Sequence, residues 1–287
     1  MILENLFPAI IKNNLAWFTL ILAFALSLAF VPLVRTLARR VGNLAQPRSD
    51  RWHDQPTPIL GGVAIYTAFL LALIVLGDWD KMPWGLLIGS SFAFALGLID
   101  DLKNLSPQTK LLGLFLAASI VIFSGNITAF FPWKPANIAV SFLWIVGIAN
   151  ALNLLDNMDG LSSGTALIMS GFLAYFFWKS SNLPYLILTV ALGGATAGFF
   201  VYNFPPASIF MGDGGSLFLG LTLASLAITR EDQASNLFAV IGVPALVFLL
   251  PILDTAMVSL TRLLRGQSPA QGGRDHTSHR LVSLGLS

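Results

Sequence analysis

Acidic and imidazole side chains stand at the ends of long apolar runs, where a hydrophobic chain tolerates them least. Asp100 and Asp101 close one run, Asp213 opens another, and His276 and His279 follow the last. A carboxylate at bilayer depth costs about 2.5 to 3.5 kcal/mol even on the lenient insertion scale. This placement predicts a wet, charged site, in which acids hold a divalent cation through oxygen and histidines contact phosphate or shuttle protons.

The pair Asp100 and Asp101 closes its run at the C-terminal end of a predicted helix. Two acids at that end oppose the helix dipole, which favours a functional over a purely structural interpretation. Adjacent carboxylates there could bind the cation together, or one could act as a base while the other is paired.

Four more polar residues recur at every third position: Asn150, Asn153, Asp156 and Asp159. If the stretch is helical, they form one polar stripe at the end of the fifth apolar run. Two acids in such a stripe, with no basic residue nearby in the sequence, are hard to explain by packing. The stripe is therefore predicted to be functional.

Two other segments could contact a nucleotide or a phosphate. The link between the seventh and eighth runs contains Asn203, Phe210 and Asp213. Asp213 is expected to begin a helix, where its carboxylate caps exposed amides and still offers oxygens to a metal. Phe210 could stack on a planar base or serve as an interfacial anchor. Arg51 and His53 could bind phosphate, or form a basic loop attracted to anionic lipid.

The composition predicts what must position these residues. The chain of 287 residues is 55% hydrophobic and 10% charged, and its mean hydropathy is +0.76. These values are typical of a polytopic helical membrane protein and nearly exclude a soluble domain. The absence of cysteine excludes disulfides and thiol chemistry, and the net charge of +2 gives nucleic-acid binding no support.

Apolar runs of about 17 to 25 residues predict an all-α bundle with nine membrane spans. Breaks rich in Pro, Gly or charge separate them. The predicted helices lie near 15–38, 59–77, 83–99, 110–127, 137–154, 164–178, 183–202, 214–229 and 237–262.

The distribution of basic residues predicts the orientation of this bundle. Of the 16 Lys and Arg residues, eleven follow odd-numbered helices and five lie on the other side. The positive-inside rule then puts the odd-numbered loops in the cytoplasm and the N-terminus outside. All the acids and histidines singled out above fall on the cytoplasmic side, so they are expected to form one site. Acids suited to Mg²⁺ beside groups suited to phosphate indicate phosphoryl transfer between a soluble donor and a lipid acceptor.

At this point the chain resembles the polyprenyl-phosphate N-acetylhexosamine-1-phosphate transferases, which include the phospho-MurNAc-pentapeptide translocase and the bacterial GlcNAc-1-phosphate transferases. The matching strings occur in the family's order over nearly the whole chain. They are Pro56-Thr57-Pro58 with Gly61-Gly62, Asp100-Asp101, Asn153 to Gly160, Phe210 to Asp213, and His276 to His279. Each string is weak alone, but the ordered combination is specific.

The resemblance implies attack by undecaprenyl phosphate on the β-phosphorus of a UDP-N-acetylhexosamine, with Mg²⁺, or Mn²⁺ in its place. The products would be UMP and a lipid diphosphosugar for cell-envelope polysaccharides such as lipopolysaccharide or teichoic acid. It also implies a multi-pass protein of the bacterial inner membrane whose site faces the cytoplasm, and a homodimer. The spaced tail of His276 and His279 favours the GlcNAc-1-phosphate branch.

The resemblance also implies a role for each matching residue. Asp213 would bind the metal, with Asp156 and Asn153 completing the metal and phosphate shell. Asp100 or Asp101 would deprotonate or orient the lipid phosphate, and the resemblance leaves open which. The remaining matches would contact the donor: Asp159 and Phe210 the uracil, Asn203 nearby, and His276 and His279 the diphosphate or sugar.

The chain departs from the family at three points. Asp54 and Gln55 stand where members often have a lysine, so Arg51 or His53 is expected to substitute. Asn157 occupies a usual glycine position. Members carry at least one further helix, so residues 1–287 are expected to be a single transferase domain truncated before a final helix.

Two other protein classes fit part of the pattern. An aspartate-rich membrane prenyltransferase would also hold Mg²⁺ at cytoplasmic helix ends, but Asn104 stands where its motif needs a third Asp. A transporter, which is not an enzyme, would use Asp254 within the ninth predicted helix and broken helices near the midplane. That class leaves the polar clustering at one face unexplained.

Overall fold

The computed structural model describes residues 2–45, 56–229, 242 and 244–266. The environment of side chains is described from residue 14 onward. This part of the chain is helical along most of its length. Its α-helices are α1 (Ile2–Val41), α2 (Gly61–Leu76), α3 (Trp84–Lys103), α4 (Pro107–Phe123), α5 (Lys134–Leu155), α6 (Leu161–Lys179), α7 (Leu183–Asn203), α8 (Gly212–Ile228) and α9 (Leu249–Leu264).

The all-α fold class predicted from the apolar runs is confirmed. The helices from α2 to α8 begin and end within about four residues of the predicted runs, as expected for boundaries read from sequence. The first helix is longer than predicted, since it begins at Ile2. Part of the ninth predicted helix lies outside the described residues, and α9 covers its second half.

Within the described residues, five helices are long and apolar enough to cross a membrane: Asn14–Val41 within α1, and α3, α5, α6 and α7. The apolar helices α2, α4 and α8 are shorter, at 16 or 17 residues. The chain is thus a multi-pass membrane protein by the length and composition of its helices. The count of nine spans and the orientation of the N-terminus stay predictions.

Helices α7 and α8 form the centre of the bundle. In α8 every residue from Gly214 to Ile228 is buried, because α2, α3, α5 and α6 pack around it. Helix α7 packs between α1, α2 and α6. A helix that is apolar all round and enclosed by others offers rigid support to whatever its ends carry.

Glycines let three helices converge at the start of α8. A Cβ on Gly62 of α2 would lie 2.2 Å from the backbone nitrogen of Gly215, and one on Gly97 of α3 would lie 2.2 Å from the carbonyl oxygen of Asp213. No side chain other than hydrogen fits at such separations. The N-terminus of α8 is therefore held against both α2 and α3, and it presents Asp213 beside the last turn of α3.

A two-residue antiparallel ladder lies next to this point. Strand β1 (Leu44–Ala45) follows α1, and strand β2 (Thr57–Pro58) precedes α2. Leu44 pairs with Pro58, and Ala45 pairs with Thr57. The ladder joins the end of α1 to the Pro-Thr-Pro string and so brings that string to the same end of the bundle as Asp213.

Candidate active site

Three acids, a lysine and an asparagine from four helices meet at one end of the bundle. The last turn of α3 carries Asp100 and Asp101, the first turn of α4 carries Lys110, α5 carries Asn153 near its end, and the first turn of α8 carries Asp213. The expectation that Asp100, Asp101, Asn153 and Asp213 form one cluster therefore agrees with the positions of these side chains.

Lys110 lies between two of the acids. Its ammonium donates to Oδ2 of Asp213 at 2.5 Å and also contacts Oδ2 of Asp100. Asp100 is nearly inaccessible, with 6% of its side chain exposed, whereas the values are 20% for Lys110 and 31% for Asp213. Two carboxylates at this separation repel each other unless a cation lies between them. Lys110 supplies that cation.

Asn153 holds the other oxygen of Asp213. Its amide nitrogen donates to Oδ1 of Asp213 at 2.7 Å and to Oγ of Ser216 at 2.8 Å. The Ser216 hydroxyl in turn donates to the carbonyl oxygen of Gly212 at 3.1 Å. Asn153 and Ser216 therefore fix the direction of the Asp213 carboxylate across the gap between α5 and α8.

Asp101 has a different environment from its neighbour. Its Oδ1 accepts from the backbone N–H of Asp213 at 2.8 Å, and its Oδ2 accepts from the backbone N–H of Gly214 at 2.9 Å. The prediction that Asp213 caps the amides of its own helix is wrong, because its carboxylate points to Lys110 and Asn153. The cap comes from α3, a source that a reading of neighbouring residues cannot reveal.

The glycine pair after the Pro-Thr-Pro string docks on the segment before Asp213. The N–H groups of Gly61 and Gly62 donate to the carbonyl oxygens of Phe210 at 2.9 Å and Met211 at 2.8 Å. The N–H of Phe210 donates to the carbonyl oxygen of Pro58 at 2.8 Å. Leu60 adopts a left-handed φ of 89°, which is strained for a bulky residue and persists because the bonds on both sides define it.

The polar stripe predicted from the three-residue spacing is only partly helical. Helix α5 ends at Leu155, and Asp156 follows as its C-cap with φ −77° and ψ 47°. Asp159 lies in the turn before α6. The prediction of one continuous helical stripe is therefore wrong beyond Asn153, because the chain leaves the helix before Asp156 and Asp159.

Asp159 and Asn203 both bond to the loop that carries Phe210. Oδ2 of Asp159 accepts from the N–H of Ala207 at 2.8 Å. The buried Asn203 accepts from Oγ of Ser163 at 2.6 Å and donates to the carbonyl oxygen of Ile209 at 3.0 Å. Phe210 itself is half-buried. The turn after α5 and the start of α6 thus hold this loop in place.

Four of the predicted site residues lie outside the described residues: Arg51, His53, His276 and His279. Their assignments to phosphate and sugar stay predictions.

The donor set fits a divalent cation of the Mg²⁺ kind. Within the described residues no group of three or more His, Asp or Glu side chains forms a ready-made metal cage. Mg²⁺ seldom uses such a cage, because it binds through one or two carboxylates together with substrate phosphates and water. Asp100 and Asp213 contact the ammonium of Lys110, and Asp101 lies beside them on the amides of α8, so three acids of the described cluster stand beside one lysine.

Sequence reasoning did not identify Lys110 or Ser216 as site residues. A signal for Lys110 was present, since it lies in the first turn of a helix that Ser106 caps and Pro107 begins. A cation near a helix N-terminus is disfavoured by the helix dipole, so it implies an acidic partner elsewhere. Ser216 offered no comparable signal.

An apolar groove runs along α5. It has a volume of about 410 Å³ and lies between α5 and α9, where Leu143, Trp144, Gly147 and Ala151 face Ile252 and Ala256. Ala151 is two residues from Asn153. The groove therefore runs beside the last turns of α5, on a different face of the helix from the side chain of Asn153, which bonds to α8.

Comparison with known proteins identifies the relatives of this chain. Residues 83–231 match glycosyl transferase family 4. A probable undecaprenyl-phosphate N-acetylglucosaminyl 1-phosphate transferase of Bacillus subtilis is 32% identical over 93% of this chain and 78% of its own length. A decaprenyl-phosphate N-acetylglucosaminephosphotransferase of Mycolicibacterium smegmatis is 30% identical over 88% and 72%. A phospho-N-acetylmuramoyl-pentapeptide-transferase of Lactiplantibacillus plantarum is 31% identical over 84% and 81%.

Proposed function

Since the chain belongs to glycosyl transferase family 4, we propose that it transfers N-acetylhexosamine 1-phosphate from a UDP-sugar to undecaprenyl phosphate. The sugar is GlcNAc, in line with the names of two of the relatives above. The observation that carries the proposal is the cluster of Asp100, Lys110, Asn153 and Asp213, which offers oxygen ligands and a cation at one end of the bundle. A diphosphate donor and a lipid phosphate both carry negative charge, so both need cationic groups and a metal-binding site to receive them.

In the proposed reaction an oxygen of the lipid phosphate attacks the β-phosphorus of the donor. The bond from that phosphorus to the oxygen that joins it to the α-phosphate breaks, and UMP leaves. Asp213 would hold Mg²⁺, with Asp156 and Asn153 completing its shell, and the bound ion would neutralise the charge of the diphosphate. Catalysis of this kind depends mainly on positioning and charge, which are the properties that the cluster provides.

Lys110 and the acids of α3 act on the phosphates. The Lys110 ammonium contacts two carboxylates and is one-fifth exposed, so it can also reach a phosphate oxygen bound beside them. Asp100 or Asp101 orients the lipid phosphate or takes its proton. Together they set the attacking oxygen in line with the β-phosphorus, and loss of either function slows the transfer.

The donor lies on the side of Phe210. A half-buried ring whose backbone is clamped by Pro58 and Gly61 offers a fixed surface on which a uracil can stack. Asp159 and Asn203 support this surface through their bonds to Ala207 and Ile209. We assign them to the donor end of the site for that reason.

The lipid acceptor lies along α5. The groove between α5 and α9 is apolar, and it runs along α5 as far as Ala151, in the same helical turn as Asn153. A prenyl chain in this groove would bring its phosphate to the acids without leaving the membrane. The excess of basic residues in the odd-numbered loops supports a site that faces the cytoplasm of a bacterial inner membrane.

Release of UMP tests the proposal. The purified protein is given undecaprenyl phosphate and Mg²⁺ with UDP-GlcNAc, UDP-GalNAc or UDP-MurNAc-pentapeptide, alongside Asp213→Asn and the matched surface control Asp78→Asn. We expect UMP from UDP-GlcNAc, at least about a hundredfold less from Asp213→Asn, and an unchanged rate from Asp78→Asn. A folded protein that releases no UMP from any donor contradicts the proposal and returns attention to a prenyltransferase or a transporter.

A further inference from the structure

The two adjacent acids of α3, Asp100 and Asp101, have different bonding partners. We propose that Asp101 is a positioning residue, which caps the N-terminus of α8 and so sets where Asp213 stands, and that Asp100 is the acid of the pair that contacts the lipid phosphate. The inference rests on the proposed function for its catalytic half, whereas the capping half stands on the geometry of α3 and α8.

The capping geometry is that of a helix N-cap supplied from another helix. Helix α8 begins at Gly212, so Asp213 and Gly214 hold its second and third positions. These are the two amides that an N-cap side chain normally accepts from. The residue in the N-cap position, Met211, has no side-chain cap. Asp101 takes that place with one oxygen for each amide, at 2.8 and 2.9 Å.

The backbone around Asp101 is shaped to receive its carboxylate. Gly212 has a φ of 77°, and a Cβ there would lie 2.7 and 2.9 Å from the two oxygens of Asp101. A Cβ on Gly214 would lie 3.3 Å from Oδ2 of the same carboxylate. A side chain at position 212 would therefore displace the cap. The glycines on either side of Asp213 make room for Asp101 and not only for a substrate.

Asp100 has both oxygens bonded, but one of its partners is a lysine side chain and not an amide of α8. Its Oδ1 accepts from the N–H of Leu105 at 2.6 Å, and its Oδ2 contacts the ammonium of Lys110. A lysine side chain can rotate away from a carboxylate, and that movement releases an oxygen of Asp100 while the backbone stays in place. Releasing either oxygen of Asp101 would instead leave an amide of α8 unpaired and loosen the turn that carries Asp213.

Hydrogen exchange tests the cap without reference to turnover. The unliganded protein in detergent is compared with Asp101→Ala, Asp101→Asn and the control Asp78→Asn, and exchange of the peptide that contains residues 212–216 is followed by mass spectrometry. We expect exchange to accelerate about tenfold in Asp101→Ala and less in Asp101→Asn, which keeps one acceptor oxygen. Equal exchange in wild type and Asp101→Ala overturns the cap.

The division of work is tested by conservative variants in the UMP assay. Asparagine at position 101 keeps an acceptor but no charge, whereas glutamate keeps the charge but moves it past the amides. If Asp101 is a positioning residue, kcat should be higher for Asp101→Asn than for Asp101→Glu. Asp101→Asn should keep at least about a tenth of the wild-type kcat. Asp100→Asn should lose at least about a hundredfold.

If Asp101→Asn is inactive while peptide 212–216 exchanges as slowly as in the wild type, the positioning role is overturned. Asp101 is then itself the group that acts on the lipid phosphate. If the wild type releases no UMP from any donor, the proposed function fails, and the exchange result still decides the cap. The two failures are therefore distinguishable.

Discussion

Removing the Lys110 ammonium leaves Asp100 and Asp213 facing each other without a cation. Both carboxylates bond the same nitrogen, so the two oxygens lie no more than about 6 Å apart. Coulomb's law with an effective dielectric constant of about 20 gives a repulsion of about 3 kcal/mol at that distance. Lys110→Met keeps the length and the apolar stem of the side chain, so its cost is mainly this repulsion and the lost ion pairs.

The prediction is that Lys110→Met lowers the free energy of unfolding by on the order of 3 kcal/mol, a value within the range for breaking a buried ion pair. The measurement is reversible unfolding in mixed micelles, followed by tryptophan fluorescence, with EDTA present. Lys103→Met is the matched control, because Lys103 is exposed in the last turn of α3. We expect that control to change stability by less than about 0.5 kcal/mol.

A double variant isolates the repulsion between the two acids. Adding Asp100→Asn to Lys110→Met removes one of the two facing charges, so the double variant should be more stable than Lys110→Met alone by on the order of 2 kcal/mol. In the wild-type background the same Asp100→Asn change removes an attraction and should destabilise. Additive effects, or an unchanged stability in Lys110→Met, would refute the role assigned to Lys110.

Three other perturbations address the packing, the groove and the metal. Gly62→Ala would place a Cβ 2.2 Å from the backbone nitrogen of Gly215, so it should lower the free energy of unfolding by about 1 to 3 kcal/mol and slow UMP release. The control Gly171→Ala, where nothing lies within 4 Å, should change neither, and thermal unfolding and the UMP assay check both variants. Gly147→Trp should fill the groove and raise the KM for undecaprenyl phosphate about tenfold, as measured by initial rates across acceptor concentrations. The KM for a short-chain prenyl phosphate should change little in this variant, and the KM for undecaprenyl phosphate should change little in the control Gly171→Trp. EDTA should abolish UMP release and Mg²⁺ or Mn²⁺ should restore it, and full activity after metal removal would contradict the assigned metal.

Much of the fold could be predicted because each helix is coded locally. Apolar runs of membrane length give the helices from α2 to α8 nearly at their observed bounds. The polar residues at their ends also indicated which strings should meet, since Asp100, Asn153 and Asp213 interrupt three separate runs. Helical periodicity failed at Asp156, because no residue before it signals that α5 ends at Leu155.

The pairings inside the site could not be predicted, because they join residues that are far apart in sequence. Lys110 and Asp213 are 103 positions apart, and Asp101 and Gly214 are 113 apart. Asp101 and Asp100 are chemically identical neighbours, and only their direction on α3 decides that one caps α8 while the other meets Lys110. The glycines gave a partial signal, since the pair Gly61-Gly62 permits a close backbone approach but does not identify the partner.

The nature of the products tests the central claim most directly. With UDP-GlcNAc and undecaprenyl phosphate, transfer of the sugar phosphate gives UMP and a lipid diphosphate-linked GlcNAc, whereas transfer of the sugar alone gives UDP and a lipid monophosphate-linked GlcNAc. Mass spectrometry of the lipid and chromatography of the nucleotide distinguish these two outcomes. We predict UMP and the lipid diphosphate in equal amounts, and release of UDP, or no lipid product from any UDP-N-acetylhexosamine, would contradict the account.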